Sequence, residues 1–401
     1  MKSNYKRIGD YIKEVKVRNA DLKAKKLLGI NIDKFFMPSV ANVVGTDMSV
    51  YKIVKKNQFA CNRMHVGRDY RLPISMSKTD EEFMVSPAYD VFEIIDTNVL
   101  LPEYLMMWFT RREFDRNAWF YTDADVRGGL HWKALCDMQL PIPSITKQRE
   151  IVKEYNVIQN RITLNQQLIQ KLEETAQAIY KQWFVEFEFP NENGKPYKSN
   201  GGEMVWNEEL KKEIPLGWEV DCLSGIATYL NGLAMQKFPT ETDDFIPVIK
   251  IRELTLGRTD DSSDKASLAI PKQYIIKNGD IIFSWSGTLK VEIWAGGIGG
   301  LNQHLFKVSS KKYEKWYYYL WTIFHLKEFI RIAEGKATSL GHIKREHLND
   351  AKVLVPLNNQ IGIMNKLMNP IFKSITNKKI EMRILKNMND FLLSKLATIE
   401  N

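Results

Sequence analysis

Two long stretches of the chain carry apolar residues at alternating steps of four and three. In the first, Ile151, Tyr155, Ile158, Ile162, Asn165, Ile169, Leu172, Ala176, Ile179 and Trp183 form the heptad seam of a coiled-coil helix. The second follows the same rule through Met364, Leu367, Ile371, Ile375, Lys378, Met382, Leu385, Asn389, Leu392 and Leu396, with one slip after Ile371. Pro370 lies inside this second pattern, where it predicts a kink or the true first turn of the helix. Asn165 and Asn389 fall in the seams; they are either buried amides that fix register or polar residues at a tolerant edge. Neither seam has another obvious partner in the chain, so each is expected to bury against the other. Roughly 40 residues per helix at about 1.5 Å each makes a rod of about 60 Å.

The rest of the chain changes period. Runs such as YKIVKK (51–56), DVFEII (90–95), FIPVIKI (245–251), QYIIKNGDIIFSW (273–285) and HLFKV (304–308) read as strands, and short helical patterns surround aromatic clusters. The expected class is α+β: two globular mixed α/β domains with curved sheets, each followed by a long helix. A long internal repeat supports two copies of one unit. Laying Leu135 on Leu348 puts Asp137 on Asp350, Leu140 on Val353, Ile142 on Val355 and Pro143 on Pro356. One deleted residue later, Gln148 meets Gln360 and Ile151 meets Ile363. Upstream, Val91, Phe92 and Ile94 meet Leu305, Phe306 and Val308, and YLMMWF (104–109) meets WYYYLW (316–321). The boundaries that follow are a first domain at 1–143, a helix at 144–189, a linker with the second domain at 190–356, and a second helix at 357–401. The segment PNENGKPYKSNGG (190–202) is the turn-rich connector.

Composition narrows the class further. At 44 % hydrophobic, 26 % charged and 11 % aromatic, the chain is that of a folded soluble protein rather than a disordered one. No apolar run approaches the roughly 18 residues of a membrane span, and MKSNYKRIGDYIKEV lacks the apolar centre of a secretory signal, so the cytoplasm is expected and a membrane is not. Cys61, Cys136 and Cys222 are too far apart for a disulfide framework or a metal knuckle and read as small buried hydrophobes. The net charge of +9 is spread thinly: residues 1–143 hold 22 basic against 18 acidic groups, and residues 357–401 hold 7 against 3. Nucleic-acid binding needs a positive face, so this total leaves the question open.

Searches for catalytic patterns come back empty. There is no Pro-Pro for a base-flipping amino-methyltransferase, and AGGIGG (295–300) is followed by Asn302 where a dinucleotide fingerprint needs glycine. GKAT (335–338) lacks the glycine of a phosphate loop, and HIKREH (342–347) misses zinc-helix spacing. What remains are polar and basic loops. Asn62, Arg63, His65, Arg68 and Arg71 cluster around a glycine, a set able to read guanine and adenine edges. In the second copy Ser284, Ser286, Thr288, Lys290, Asn302 and Gln303, with Lys336, Thr338, Ser339 and Lys344, suit close approach to phosphates and bases. Each loop could equally be an ordinary solvated turn.

The pattern LPIPSITKQREIV, a heptad helix, then AIYKQWFVEFEFPNENGKPYKSNGGEMV resembles the central region of type I restriction-modification specificity subunits, and IPLGWEVDCLSGIA (214–227) resembles the opening of their second target-recognition domain. The resemblance spans essentially the whole chain and is most specific over 141–220. It implies a non-catalytic reader of double-stranded DNA with two recognition domains, one for each half of a bipartite, asymmetric target. The resemblance also implies two methyltransferase subunits carrying S-adenosylmethionine and two restriction subunits using ATP and Mg2+, with no cofactor in this chain. Two copies docking equivalently on a duplex are related by a pseudo-dyad, which makes the trailing helices antiparallel. The methyltransferase contacts are expected on Tyr180, Trp183, Phe184 and Phe187, unless these rings pack against a domain of the same chain. A single-chain methyltransferase or nuclease relic, or a coiled-coil scaffold with no DNA role, are the competing readings.

Overall fold

The computed structural model describes residues 4–41, 45–64, 66–122, 128–240, 243–335 and 341–399. The chain divides into two units, Met1–Arg161 with Lys386–Asn401, and Ile162–Leu385, so each long helix belongs in part to both.

The first unit contains β1 (Tyr5–Arg7), β2 (Ile12–Glu14), β3 (Phe59–Cys61), β4 (Ile74–Met76), β5 (Asp90–Ile94), α1 (Pro102–Thr110), α2 (Arg112–Phe120), α3 (Trp132–Asp137), β6 (Gln139–Pro141) and the start of α4 (Ile145–Phe184). An antiparallel sheet runs in the order β2, β5, β3, β4, and β1 pairs separately with β6. Strand alternation explains why β3 and β5 are buried on both faces. Phe59 and Phe92 stack at 5.0 Å on the side covered by Phe109 of α1, while Ala60 and Val91 face a smaller cluster with Leu28, Val54 and Phe83.

The second unit contains β7 (Glu219–Cys222), β8 (Thr228–Asn231), β9 (Ile246–Ile249), α5 (Ile251–Leu256), β10 (Ile281–Ser284), β11 (Lys290–Ile293), β12 (Gly299–Leu301), β13 (Leu305–Ser309), α6 (Lys315–Glu334), α7 (Arg345–Asp350), β14 (Lys352–Val355) and most of α8 (Asn358–Lys395). Its sheet runs β8, β13, β10, β11, the same chain order as in the first unit, and β7 pairs with β14 as β1 does with β6. The repeat is therefore structural as well as sequential. Phe92 sits opposite Phe59, and Phe306 sits opposite Phe283; Ile94 sits opposite Ile12, and Val308 opposite Tyr229. Leu135 and Leu348 are both buried, as are Leu140 and Val353. Where a single curved sheet per domain was expected, each unit instead holds several small ones; in the second, β9 and β12 pair in parallel beside the main sheet.

Within the first unit, Ile151 and Val152 of α4 share a core with Leu393 and Leu396, and Gln159 Nε2 donates to Asn389 Oδ1 at 2.8 Å. Within the second, Glu173 pairs with Lys379 at 3.1 Å, and Phe184 packs on Trp316, whose indole donates to Asn365 at 2.7 Å. In both units numbers rise along one helix as they fall along the other, so the helices pair antiparallel. Asn165 is buried in the seam, its Nδ2 without a hydrogen-bond partner, while Asn389 is bonded.

The second seam needs correction. Leu367 is 48 % exposed, and Met368 and Phe372 are buried in its place. Met364, Met368 and Phe372 follow at steps of four, the drift of a straight helix, because α6 lies alongside and Tyr319 meets Phe372 at 5.4 Å. Pro370 does not begin α8, which runs through it from Asn358. Just after the connector the chain forms an unpredicted hairpin, Met204–Asn207 with Lys212–Pro215.

Candidate nucleic-acid interface

In the first unit the loop leaving β3 crosses the segment before α3. Gly67 N donates to Gly128 O at 2.7 Å, and Leu130 N donates to Arg63 O at 3.0 Å. The second unit repeats the crossing, with Gly287 N donating to Gly341 O at 2.9 Å and Ile343 N donating to Trp285 O at 3.0 Å. A Cβ on Gly67 would lie 2.7 Å from the Gly128 Cα, and Gly128 has φ +56°, so glycine is required on both sides of this contact. The same pair of backbone hydrogen bonds is thus made twice, from loop positions 63 and 67 in the first unit and 285 and 287 in the second, and the side chains presented differ: NRM and GRDYR in the first unit, SWSGTLK in the second.

In the first unit Asn62 is half-buried and its Oδ1 accepts from Met64 N at 3.2 Å. Arg68 is two-thirds exposed beside Asp69, and Arg71 reaches Asp33 at 2.7 Å. Arg63 is a correction. Its guanidinium pairs with Asp90, donates to the Leu130 carbonyl and lies 5.9 Å from the Trp132 ring, so it braces the crossing and is not free to read a base. His65 lies outside the described residues.

In the second unit Asn302, Gln303 and His304 line a cleft of about 680 Å³ together with Lys250, Arg252 and Lys265. His304 Nδ1 is 3.1 Å from Ser286 Oγ, and its Nε2 is 3.3 Å from Gln303 Nε2. Gln303 Nε2 can only donate, so His304 Nε2 accepts and the proton on Nδ1 goes to Ser286 Oγ, a Ser–His–Gln chain that ties the nitrogen end of the Gln303 amide and leaves its oxygen for a ligand. Asn302 is nearly buried, its Oδ1 accepting from His304 N at 3.4 Å, so it shapes the turn. The cations of the cleft have internal partners. Arg252 bridges Glu253 at 2.6 Å and Asp260 at 2.7 Å, which holds the Asp260 carboxyl down at about 2, and Lys250 pairs with Asp264. Their charge is positioned more than it is in surplus, so hydrogen-bond geometry rather than bulk attraction must carry selectivity.

Ser284 is also a correction. It is fully buried and donates to Ser286 O at 3.1 Å, because every side chain of the central strand β10 is enclosed. Thr288 lines a second cleft of about 450 Å³ with Glu334 and Gly341. Lys290 pairs with Glu292 at 2.9 Å, and Lys344 pairs with Glu346 at 3.2 Å at the start of α7. Lys336, Thr338 and Ser339 lie outside the described residues. Sequence reasoning missed Lys250, Arg252 and Lys265; Lys250 and Arg252 follow β9, which pairs in parallel with β12, and Lys265 comes from a short strand antiparallel to β9, pairings that join residues far apart in the chain.

The aromatic set expected to meet a partner is instead committed inside the second unit. Tyr180, Trp183, Phe184 and Phe187 are each less than 7 % exposed. Phe184 touches the rings of Trp218, Trp316, Tyr317 and Trp321, and Phe187 meets Trp218 edge-on at 5.8 Å. The surplus of rings beyond a two-helix seam is explained by α6 and the segment around Trp218.

Among the described residues no group of three or more His, Cys, Asp or Glu is placed to hold a metal, and no helix is long and apolar enough to cross a membrane. Residues 215–386 match the family model for the type I restriction modification DNA specificity domain. The chain is 28 % identical over 319 residues to the MjaIX type I restriction enzyme specificity subunit of Methanocaldococcus jannaschii, spanning 76 % of this chain and 70 % of that protein. It is 22 % identical over 426 residues to the HindI specificity subunit of Haemophilus influenzae, spanning 92 % of each. The crystal structure of a type I restriction-modification S subunit from M. genitalium shares the fold, with a TM-score of 0.55 at 12 % identity over 99 % of this chain and 96 % of that one.

Proposed function

Since this chain belongs to the specificity subunits of type I restriction-modification systems, the non-catalytic DNA-recognition members of those complexes, we propose that each of its two units reads one half of a bipartite, asymmetric duplex target. The observation that carries this reading is the duplicated crossing, Gly67 on Gly128 and Gly287 on Gly341, which repeats one pair of backbone hydrogen bonds under different side chains and a different loop length. Repeated crossings dock equivalently on a duplex, and unequal side chains select unequal sequences.

In the second unit Gln303 is the residue best suited to a base edge, since an amide with one end tethered can present its other end to adenine. Arg68 and Arg71 in the first unit, and Lys250, Arg252 and Lys265 in the second, are placed for phosphates. Two methyltransferase subunits carrying S-adenosylmethionine and two restriction subunits using ATP and Mg2+ supply the chemistry, in the cytoplasm. Their docking surface is the outward side of the helix pair, because the aromatic set at the end of α4 is occupied.

The test is co-expression with the adjacent methyltransferase gene product, followed by mapping of modified adenines in the host genome. Modification at one split motif, lost when this chain is omitted, is the expected result. Turnover of S-adenosylmethionine by the chain alone, or modification independent of it, refutes the reading.

A further inference from the structure

Four large aromatic side chains of the first unit have no place in the account so far. Tyr70 is 62 % exposed, Trp119 46 %, Phe120 77 % and Tyr121 53 %. They stand as two ring pairs, Tyr70 with Trp119 at 5.2 Å and Phe120 with Tyr121 at 5.4 Å. Monomeric surfaces rarely leave so much contiguous aromatic area in water without a use.

Their mounting is stiff. Asp115, one helical turn before Trp119, is buried and accepts from Lys34 Nζ at 2.7 Å and from Leu72 N at 3.1 Å. Lys34 also donates to the Phe109 carbonyl, so one carboxylate clamps α2, the loop carrying Tyr70 and the tip of a hairpin. Tyr70 itself is held at φ +56°, a left-handed conformation that a non-glycine residue keeps only with support from its surroundings.

The patch adjoins the crossing described above. Tyr70 follows Gly67 by three residues, and Thr122 is bridged to Leu130 beside Gly128. Arg68 and Arg71 flank Tyr70 in the loop, paired at the surface with Asp69 and Asp33, and α2 carries Arg112 and Arg116, the latter 3.4 Å from Glu113; in such exposed pairs a phosphate can compete for the cation. The second unit lacks the feature. The end of α6 differs: residues 330–335 hold no aromatic side chain, where α2 ends in Trp119 and Phe120. A protein partner that docks on both units would find its contact in only one.

We propose that this patch is a wedge for duplex DNA, with Phe120 at its tip, that packs against one base step of the first half-site and partly unstacks it. The first half-site is then read in part through the energy needed to deform that step, a term absent from the second. This rests on the DNA-reading function proposed above.

The test uses the full chain co-purified with its methyltransferase subunits and duplexes carrying the mapped target, with 2-aminopurine placed in turn at each step of both half-sites. Beyond the methylated adenines, which the methyltransferase subunits flip out of the stack themselves, the protein brightens the fluorophore at one step of the first half-site alone. Phe120→Ala removes that signal and weakens specific binding at least about fivefold, leaving binding to a random duplex, circular dichroism and subunit association unchanged. Trp206→Ala, an exposed tryptophan of the second unit, changes none of these. Unaltered specific binding by Phe120→Ala, brightening that survives it, or loss of methyltransferase association with DNA binding intact each overturns the wedge alone. Absence of any specific binding by the unmodified protein overturns the DNA-reading function itself.

Discussion

Replacing Gln148 with alanine tests how the repeat builds its first unit. Gln148 is fully buried in the first turn of α4, and its amide makes three bonds to backbone. Nε2 donates to the carbonyls of Val99 at 2.8 Å and Pro143 at 2.9 Å, and Oε1 accepts from Leu101 N at 2.9 Å. Leu101 is the residue that caps α1, so one side chain joins the starts of two helices. Alanine deletes all three bonds and leaves one N–H and two C=O groups facing a void. Each orphaned group costs about 1–3 kcal/mol, and partial entry of water brings the expected loss to about 3–4 kcal/mol.

The matched Gln360 supplies the internal control. It is half-buried, accepts from the Trp218 indole at 2.8 Å and from Leu357 N at only 3.3 Å, and water can replace it, so Gln360→Ala is expected to cost about 1 kcal/mol. Because the chain has two units, a single unfolding midpoint is not enough. Hydrogen exchange resolved by segment reads each unit separately, and the Leu101 amide is the direct reporter. A loss below about 1 kcal/mol in the first unit for Gln148→Ala, or an equal loss for the two variants, would refute the reasoning.

Further outcomes follow from the same contacts. Asp115→Asn leaves Lys34 buried beside a neutral partner, and burial already pushes the Lys34 ammonium below its usual value, so urea unfolding should show a loss of about 3–5 kcal/mol in the first unit, largely restored in Lys34→Met with Asp115→Leu. His325 has its pKa lowered by burial, an effect its bond to the Lys352 carbonyl only partly offsets. The unfolded chain therefore takes up a proton that the folded unit refuses, and the second unit should lose stability as pH falls through about 6.5; an unchanged slope in His325→Gln would show that another group titrates. Gly67→Ala drives a methyl into the Gly128 backbone and should cut specific DNA affinity tenfold or more by gel shift, with thermal stability lowered by no more than about 1–3 kcal/mol. Exchanging residues 1–143 for the equivalent part of a relative should change one half-site in methylation mapping; a change in both would contradict independent readers.

Much of the architecture was legible because it depends on short-range period. The step of four and three predicted α4, and its seam residues Ile151, Ile162, Asn165, Ile169, Ala176 and Trp183 are the buried ones. The same rule misplaced Leu367, since a second helix beside α8 widened its apolar side and sequence spacing cannot show a neighbour that comes from elsewhere in the chain. Arg63 and Ser284 failed as base readers for a related reason. An arginine or a serine in a polar loop reads the same whether it faces solvent or, like these two, an internal partner. Trp119 and Phe120 could have been found: with Phe114 and Ala118 buried four residues apart, a helical wheel puts both rings off the buried face.

The linear order of residues is enough to establish that one unit is present twice, that each unit mixes strands with helices, and that a long helix trails each copy. Those facts follow from periods of two, of three and a half, and of about 200 residues, all of which survive in a linear string. Which polar side chains are buried or ion-paired and which stand in solvent is set by the fold. Burial, ion pairing and the close passage of Gly67 over Gly128 join residues tens of positions apart, and no local pattern records which of them will meet.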